Sequence, residues 1–207
     1  MKEEMPIQEY IKDLRQELQE NPGCALTHYN LGVALIQQHK WDEAIKELKD
    51  AIHKSPRMVE AYINLSGIYF HKGEMEEAIE LCKKVIEFRP DFAPSYGNIG
   101  FAYLQQGKVE EAIDMLRRAI KKDPKFVQAL ATLGSAYLRQ GKIEESIENN
   151  KKAIDVAPEF AVAHNNLAVA YLEKEEFKKA IEHCDKAKEF GYEVHPDLLK
   201  ELEAYRS

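Results

Sequence analysis

The sequence predicts an all-α protein, a right-handed α-α superhelix of about twelve antiparallel helices. Three observations predict it. Prolines stand at Pro22, Pro56, Pro90, Pro124 and Pro158, each 34 residues from the next in a chain of 207. Small residues recur at two fixed places within that period. Apolar residues recur at helical spacing around them.

Aligned on the prolines, the chain divides into five units: 25–58, 59–92, 93–126, 127–160 and 161–194. Slots are numbered 1 to 34 within a unit, the proline being slot 32. Slot 7 holds Leu31, Leu65, Ile99, Leu133 and Leu167, and slot 11 holds Leu35, Tyr69, Tyr103, Tyr137 and Tyr171. Slot 8 is small (Gly32, Ser66, Gly100, Gly134, Ala168), and so is slot 20 (Ala44, Ala78, Ala112, Ser146, Ala180). Small residues at two such places let a pair of helices approach closely, and the large apolar residues fill the space around the contact.

The second helix of each unit reads from slots 17, 21, 24 and 28, as in Val109, Ile113, Leu116 and Ile120. A break precedes it at slot 15, where Gly73, Gly107 and Gly141 suit a helix C-terminus. His39 and Glu175 take that place in the outer units. The proline ends the second helix. Second helices begin with acids, as in Glu76-Glu77 and Glu110-Glu111, and turn basic seven residues later at Lys83-Lys84 and Arg117-Arg118, which complements the helix dipole. The fifth unit departs from this with Lys178-Lys179.

The flanks are expected to cap the stack. Residues 1–24 carry Ile7, Ile11, Leu14 and Leu18 in register with a second helix whose partner is missing. Residues 195–207 offer Leu198, Leu199, Leu202 and Tyr205 on one face, with Pro196 to open the helix. The expectation is a single solenoid domain over residues 1–207, in which stacking units bury one continuous core.

Composition excludes several functions. With 29 basic against 36 acidic residues the net charge is −7, which disfavours general nucleic-acid binding. No apolar run reaches the length of a membrane span, and Met1–Met5 do not read as a secretory signal. Three widely spaced cysteines, Cys24, Cys82 and Cys184, form no metal or redox pattern and point to reduced thiols in a cytoplasmic protein. Phosphate loops, nucleophile elbows and zinc-protease spacings are missing. The expectation is no enzyme, no cofactor and no metal. His28 and His164 at slot 4 read as half-buried packing residues. Asn150, a polar residue in core slot 24, reads either as locally hydrogen-bonded or as a looser joint between the fourth and fifth units.

These slots resemble the tetratricopeptide repeat (TPR), and the resemblance covers about 170 of the 207 residues. It implies a protein-interaction scaffold whose first helices line a concave groove. Carried over by position, the groove residues are Tyr29, Val33, Ile63, Asn64, Gly67, Phe70, His71, Gly97, Asn98, Phe101, Leu104, Gln105, Ala131, Ser135, Leu138, Arg139 and Asn165. The lysines and arginine that the family uses to clamp a two-carboxylate chaperone tail are missing from the corresponding slots. A floor of small residues (Gly67, Gly97, Ala131, Ser135) beside Phe70 and Phe101 suggests instead a peptide or amphipathic helix of a partner protein. Relief of crowding between first helices explains the same residues equally well. The alternative function is self-assembly into homo-oligomers through the end helices. Nucleic acid and membrane insertion are not expected.

Overall fold

The computed structural model describes residues 6–206; Met1–Met5, at the start of the expected N-terminal cap, and Ser207 lie outside the described residues. Among the described residues there are twelve α-helices and no strands, in two compact units that divide between Pro90 and Asp91. The first unit holds α1 (Ile7–Glu20), α2 (Ala25–Gln37), α3 (Trp41–Lys54), α4 (Val59–Lys72) and α5 (Met75–Phe88). The second holds α6 (Ala93–Gln105), α7 (Val109–Lys122), α8 (Val127–Arg139), α9 (Ile143–Val156), α10 (Ala161–Glu173), α11 (Phe177–Glu189) and α12 (Pro196–Glu203). Each 34-residue repeat is a helix pair, with the break at slot 15 and the proline just past the second helix.

The pair is held by a volume trade between slots 8 and 24. A methyl group on Gly32 would lie 2.8 Å from Leu48 Cγ, one on Gly100 would lie 2.6 Å from Leu116 Cγ, and one on Gly134 would lie 2.1 Å from Asn150 Nδ2. Where slot 8 carries the larger Ser66 or Ala168, slot 24 shrinks to Cys82 or Cys184. All five slot-24 side chains are fully buried, as are the five small residues at slot 20. Close-packed interiors allow one methyl group on one side of such a contact or the other, not on both.

Slot 15 is the second constant. Gly73, Gly107 and Gly141 have φ of 78°, 75° and 70°, and His39 and Glu175 adopt the same left-handed backbone at 57° and 59°. The turn therefore keeps its geometry even where the residue lacks glycine's freedom.

Polar side chains stitch repeats together. Slot 4 reaches back to the carbonyl of the preceding proline: Tyr62 Oη donates to Pro56 O at 3.2 Å, and His164 Nε2 to Pro158 O at 2.8 Å. Slot 6 reaches the previous first helix: Asn64 Nδ2 donates to Tyr29 Oη at 3.2 Å, and Asn166 Nδ2 to Ala131 O at 3.0 Å. Asn150, 0% exposed, is fully partnered. Its Nδ2 donates to Ser146 O at 2.9 Å and its Oδ1 accepts from Asn166 Nδ2 at 3.0 Å. The joint between the fourth and fifth repeats is thus pinned by a satisfied buried network.

Both caps form. Ile11 and Leu14 of α1 are 5% and 3% exposed against the first-unit core, with Ile7 and Leu18 packed at its margin. Leu198 and Leu202 of α12 are buried, while Tyr205 just beyond the helix stacks on Phe177 at 3.6 Å between centroids. In the fifth repeat Glu176, immediately before α11, pairs with both Lys174 and Lys179, and so supplies the acid that Lys178-Lys179 displaced.

A buried histidine, His164, meets a half-buried one, His183. His164 and His183 face each other, Nδ1 to Nδ1 at 2.9 Å. Because His164 Nε2 donates to the Pro158 carbonyl, His183 is the proton donor between the two rings. Burial, then the facing His164, hold the His183 imidazole down at about 4, against an ordinary 6.5.

Replacing Glu175 by Gly relieves the left-handed strain in an exposed turn and raises stability by about 0.5–1 kcal/mol, read as a higher thermal midpoint. Gly107→Ala, which forces a side chain into the same conformation, lowers it by a similar amount. For His183, the unfolded chain binds the proton below its ordinary pKa and the folded chain does not. Stability is therefore full above pH 6.5 and falls as pH drops from 6.5 toward 4. Thermal melts of wild type and His183→Asn across that window check this; the slope is expected to be shallower in the variant.

Candidate functional site

The candidate site lies on the first helices. In the second unit α6 and α8 present a cleft of about 300 Å³, lined by Gly97, Asn98, Phe101, Phe126, Gln128, Ala129, Ala131, Thr132, Phe160 and Val162. Its walls are mainly apolar because three phenylalanines and a valine converge there. Phe101 is 39% exposed, high for a large apolar side chain. Asn98, Gln128 and Thr132 place amide and hydroxyl groups at the rim. The Thr132 hydroxyl already donates to Gln128 O within α8 at 2.7 Å.

Of the residues expected in the groove, Gly97, Asn98, Phe101 and Ala131 come together here. Gly97 has a specific structural reason. A methyl group on it would lie 2.6 Å from Phe126 Cε1, so the missing side chain is what lets the Phe126 ring seat against α6. At Gly97 the missing side chain relieves crowding by an aromatic ring, while the residue also lines the cleft. Ala131 and Leu104 are 1% and 3% exposed and offer little side-chain surface to a ligand. Gln105, Ser135, Leu138 and Asn165 lie outside the cleft lining. Arg139, expected as the groove's fixed cation, donates through Nη1 to Leu104 O at the end of α6. It caps a helix C-terminus, where a cation is favoured.

Gly67 of α4 is exposed, and nothing lies within 4 Å of the place its side chain would occupy. Its smallness has no packing cause, in contrast to Gly97. Tyr29, Val33, Ile63, Asn64 and Phe70 are half-buried, with Asn64 bonded to Tyr29. His71 lies against Trp41, centroid to centroid at 4.5 Å, so slot 13 here packs on the start of the preceding second helix.

Sequence reasoning missed Phe126 and Phe160. Both occupy slot 34, immediately before a first helix, and Phe92 stands there too. That aromatic recurrence was the available signal. It also missed a cluster formed across the first helix pair, where His28, Glu47 and Asp50 approach closely enough to share a cation. Separations of 19 and 3 residues on two helices make no linear metal motif.

The chain matches the tetratricopeptide repeat over residues 29–93, 81–114 and 161–190, and the TPR repeat over 102–141 and 134–175. No curated protein matches it. Among solved structures, the MamA protein is 28% identical, with 80% of this chain and 91% of that one covered at a TM-score of 0.65. YrrB, a TPR protein with an unusual peptide-binding site, is 21% identical, with coverages of 94% and 98% and a TM-score of 0.66. PilF of Pseudomonas aeruginosa is 19% identical, with coverages of 87% and 84% and a TM-score of 0.76.

Proposed function

The chain belongs to the tetratricopeptide repeat family, and from that membership we propose that it is a non-enzymatic scaffold that binds a peptide or helical segment of a partner protein on its first helices. The observation that carries the reading is the apolar cleft between α6 and α8, with Phe101 at its open side. At about 300 Å³ it stands at the small end of ligand pockets. It has the size and apolarity for one or two anchoring side chains, with rim amides for the partner's backbone. The small exposed surface at Gly67 offers a further close approach on α4. No helix among the described residues is long and apolar enough to cross a membrane, and the three cysteines are free, which supports action in the cytoplasm.

Self-assembly through the end helices is the alternative. Ile11, Leu14, Leu198 and Leu202 are already buried within their own chain, which favours the cleft over exchange of an end helix.

Selection from a displayed random peptide library tests the proposal. Enriched peptides are expected to share an aromatic or aliphatic anchor, and Phe101→Glu is expected to weaken them at least about tenfold while the thermal melt is kept. Gly97→Leu is unsuited as the variant, because it displaces Phe126 and disturbs the fold itself. Peptides that bind Phe101→Glu as well as wild type would remove the cleft from the function. A mass that rises with concentration in light scattering, with no peptide enriched, would favour self-assembly.

A further inference from the structure

The first repeat holds a group of ionisable side chains that the scaffold reading does not use. His28 of α2 and Glu47 and Asp50 of α3 each offer one ligand atom, and those atoms lie within 4.8 Å of one another. His28 Nδ1 is 2.7 Å from Glu47 Oε2, with the two side chains only 12% and 16% exposed. Asp50 is half-buried.

The proton inventory is informative. His28 Nε2 faces the Pro22 carbonyl at 3.3 Å, and a carbonyl only accepts, so this nitrogen carries the hydrogen. In the neutral ring Nδ1 then holds a lone pair, aimed at a carboxylate oxygen. Two acceptors at that separation require a cation between them: a proton or a metal ion. A divalent ion held between a neutral imidazole and two carboxylates gives a cluster with no net charge, which a half-buried site favours.

The other four repeats supply an internal control. Slot 26, where Asp50 stands, is Lys84, Arg118, Lys152 and Lys186 elsewhere. Slot 23, where Glu47 stands, is Leu81, Met115, Asn149 and His183. Only in the first repeat do slots 4, 23 and 26 all carry metal-ligating side chains, and there the customary cation at slot 26 is reversed to an anion. Asp50 makes no hydrogen bond or ion pair among the described residues. The half-buried Asp50 carboxylate is thus open to a positive charge from outside the chain.

We propose that His28, Glu47 and Asp50 form a binding site for a divalent transition-metal ion of the zinc type. One nitrogen and two carboxylate oxygens suit such an ion better than calcium or magnesium, which take oxygen ligands. A tetrahedral ion with bonds of about 2.1 Å spaces its ligands about 3.4 Å apart, more than the 2.7 Å between His28 and Glu47 and inside the 4.8 Å that bounds the three atoms. The ion displaces the proton shared by His28 and Glu47, which leaves for solvent, and the fourth position is open to water or to a donor from a partner.

Calorimetric titration of ZnCl₂ into the full chain, stripped with chelator and desalted at pH 7, tests the site. Wild type is expected to take up one equivalent, and Co²⁺ in its place to give a visible absorption band. Two variants separate binding from folding. Asp50→Lys restores the cation that the other repeats carry, and His28→Gln keeps a donor for the Pro22 carbonyl. Each is expected to weaken zinc at least about tenfold without lowering the metal-free thermal midpoint. His183→Asn is expected to leave zinc binding unchanged. No uptake by wild type, uptake undiminished in both variants, or loss only in His183→Asn would each overturn the assignment.

Discussion

Everything in this fold depends on how closely the two helices of a repeat can approach. At the crossing, slot 8 of the first helix meets slot 24 of the second, and slot 20 supplies a floor of alanine or serine with no exposed surface. The contact has a fixed volume that is divided differently from repeat to repeat: glycine against leucine, serine or alanine against cysteine, glycine against asparagine. Once the pair is closed, its outer faces are defined, and only then do slots 4 and 6 have neighbours to reach. The proline carbonyl and the preceding first helix become hydrogen-bond partners because the crossing has placed them within about 3 Å. Position-specific polar contacts are thus consequences of a packing constraint, and they fix register more than they supply net stability.

The same constraint explains what the sequence made legible. Helix limits followed from periodicity and from the 34-residue punctuation, since each repeat solves the same local problem. The left-handed turn at slot 15 was legible from three glycines, and the repeat geometry carries it to His39 and Glu175 without them. Residues whose role depends on a partner distant in sequence were not legible by type alone. Gly97 reads as groove floor and does line the cleft, and the Phe126 ring also takes the space its side chain would fill. Arg139 reads as a groove cation, and its guanidinium also donates to the Leu104 carbonyl. Asn150 looks like a weak point in the core, but Ser146 and Asn166 satisfy both ends of its amide. In each case a neighbour 16 to 35 positions away takes part in the contact, joined at Asn150 by Ser146 four positions back.

Slot 34 shows how one position can serve both fold and site. It is the residue at which the chain turns into a first helix, in extended conformation, with φ −71° and ψ 90° at Phe126 and φ −75° and ψ 93° at Phe160. A large ring there is well placed to cover the joint between successive first helices. At the α6–α8 joint the rings of Phe126 and Phe160 do more than cover: with Phe101 they leave an apolar cleft facing outward. A cleft built from side chains that the packing already requires has a rigid lining, which limits the entropy lost when a partner's side chain enters it.

Departures from the repeat gather in the first and fifth full units. Both put a residue other than glycine at slot 15, both put histidine at slot 4, and both put an ionisable residue at slot 23, Glu47 or His183. The middle repeats fill these places with glycine and with apolar, aromatic or neutral polar side chains. The physical reason lies in what slots 4 and 23 face. They meet at the outer end of the crossing, where a tyrosine hydroxyl or a histidine nitrogen finds the proline carbonyl and where the second partner is free to vary. Pairing histidine with histidine sets the half-buried His183 ring against the buried His164 ring, and burial holds the His183 imidazole below its ordinary pKa. Pairing histidine with glutamate, and then adding Asp50 where every other repeat has a cation, tips the same pocket the other way and leaves it short of positive charge. One geometric position, repeated at both ends of the chain, thus yields a proton-excluding contact in one repeat and a cation-seeking one in the other. The difference is set by the residues at slots 23 and 26 alone.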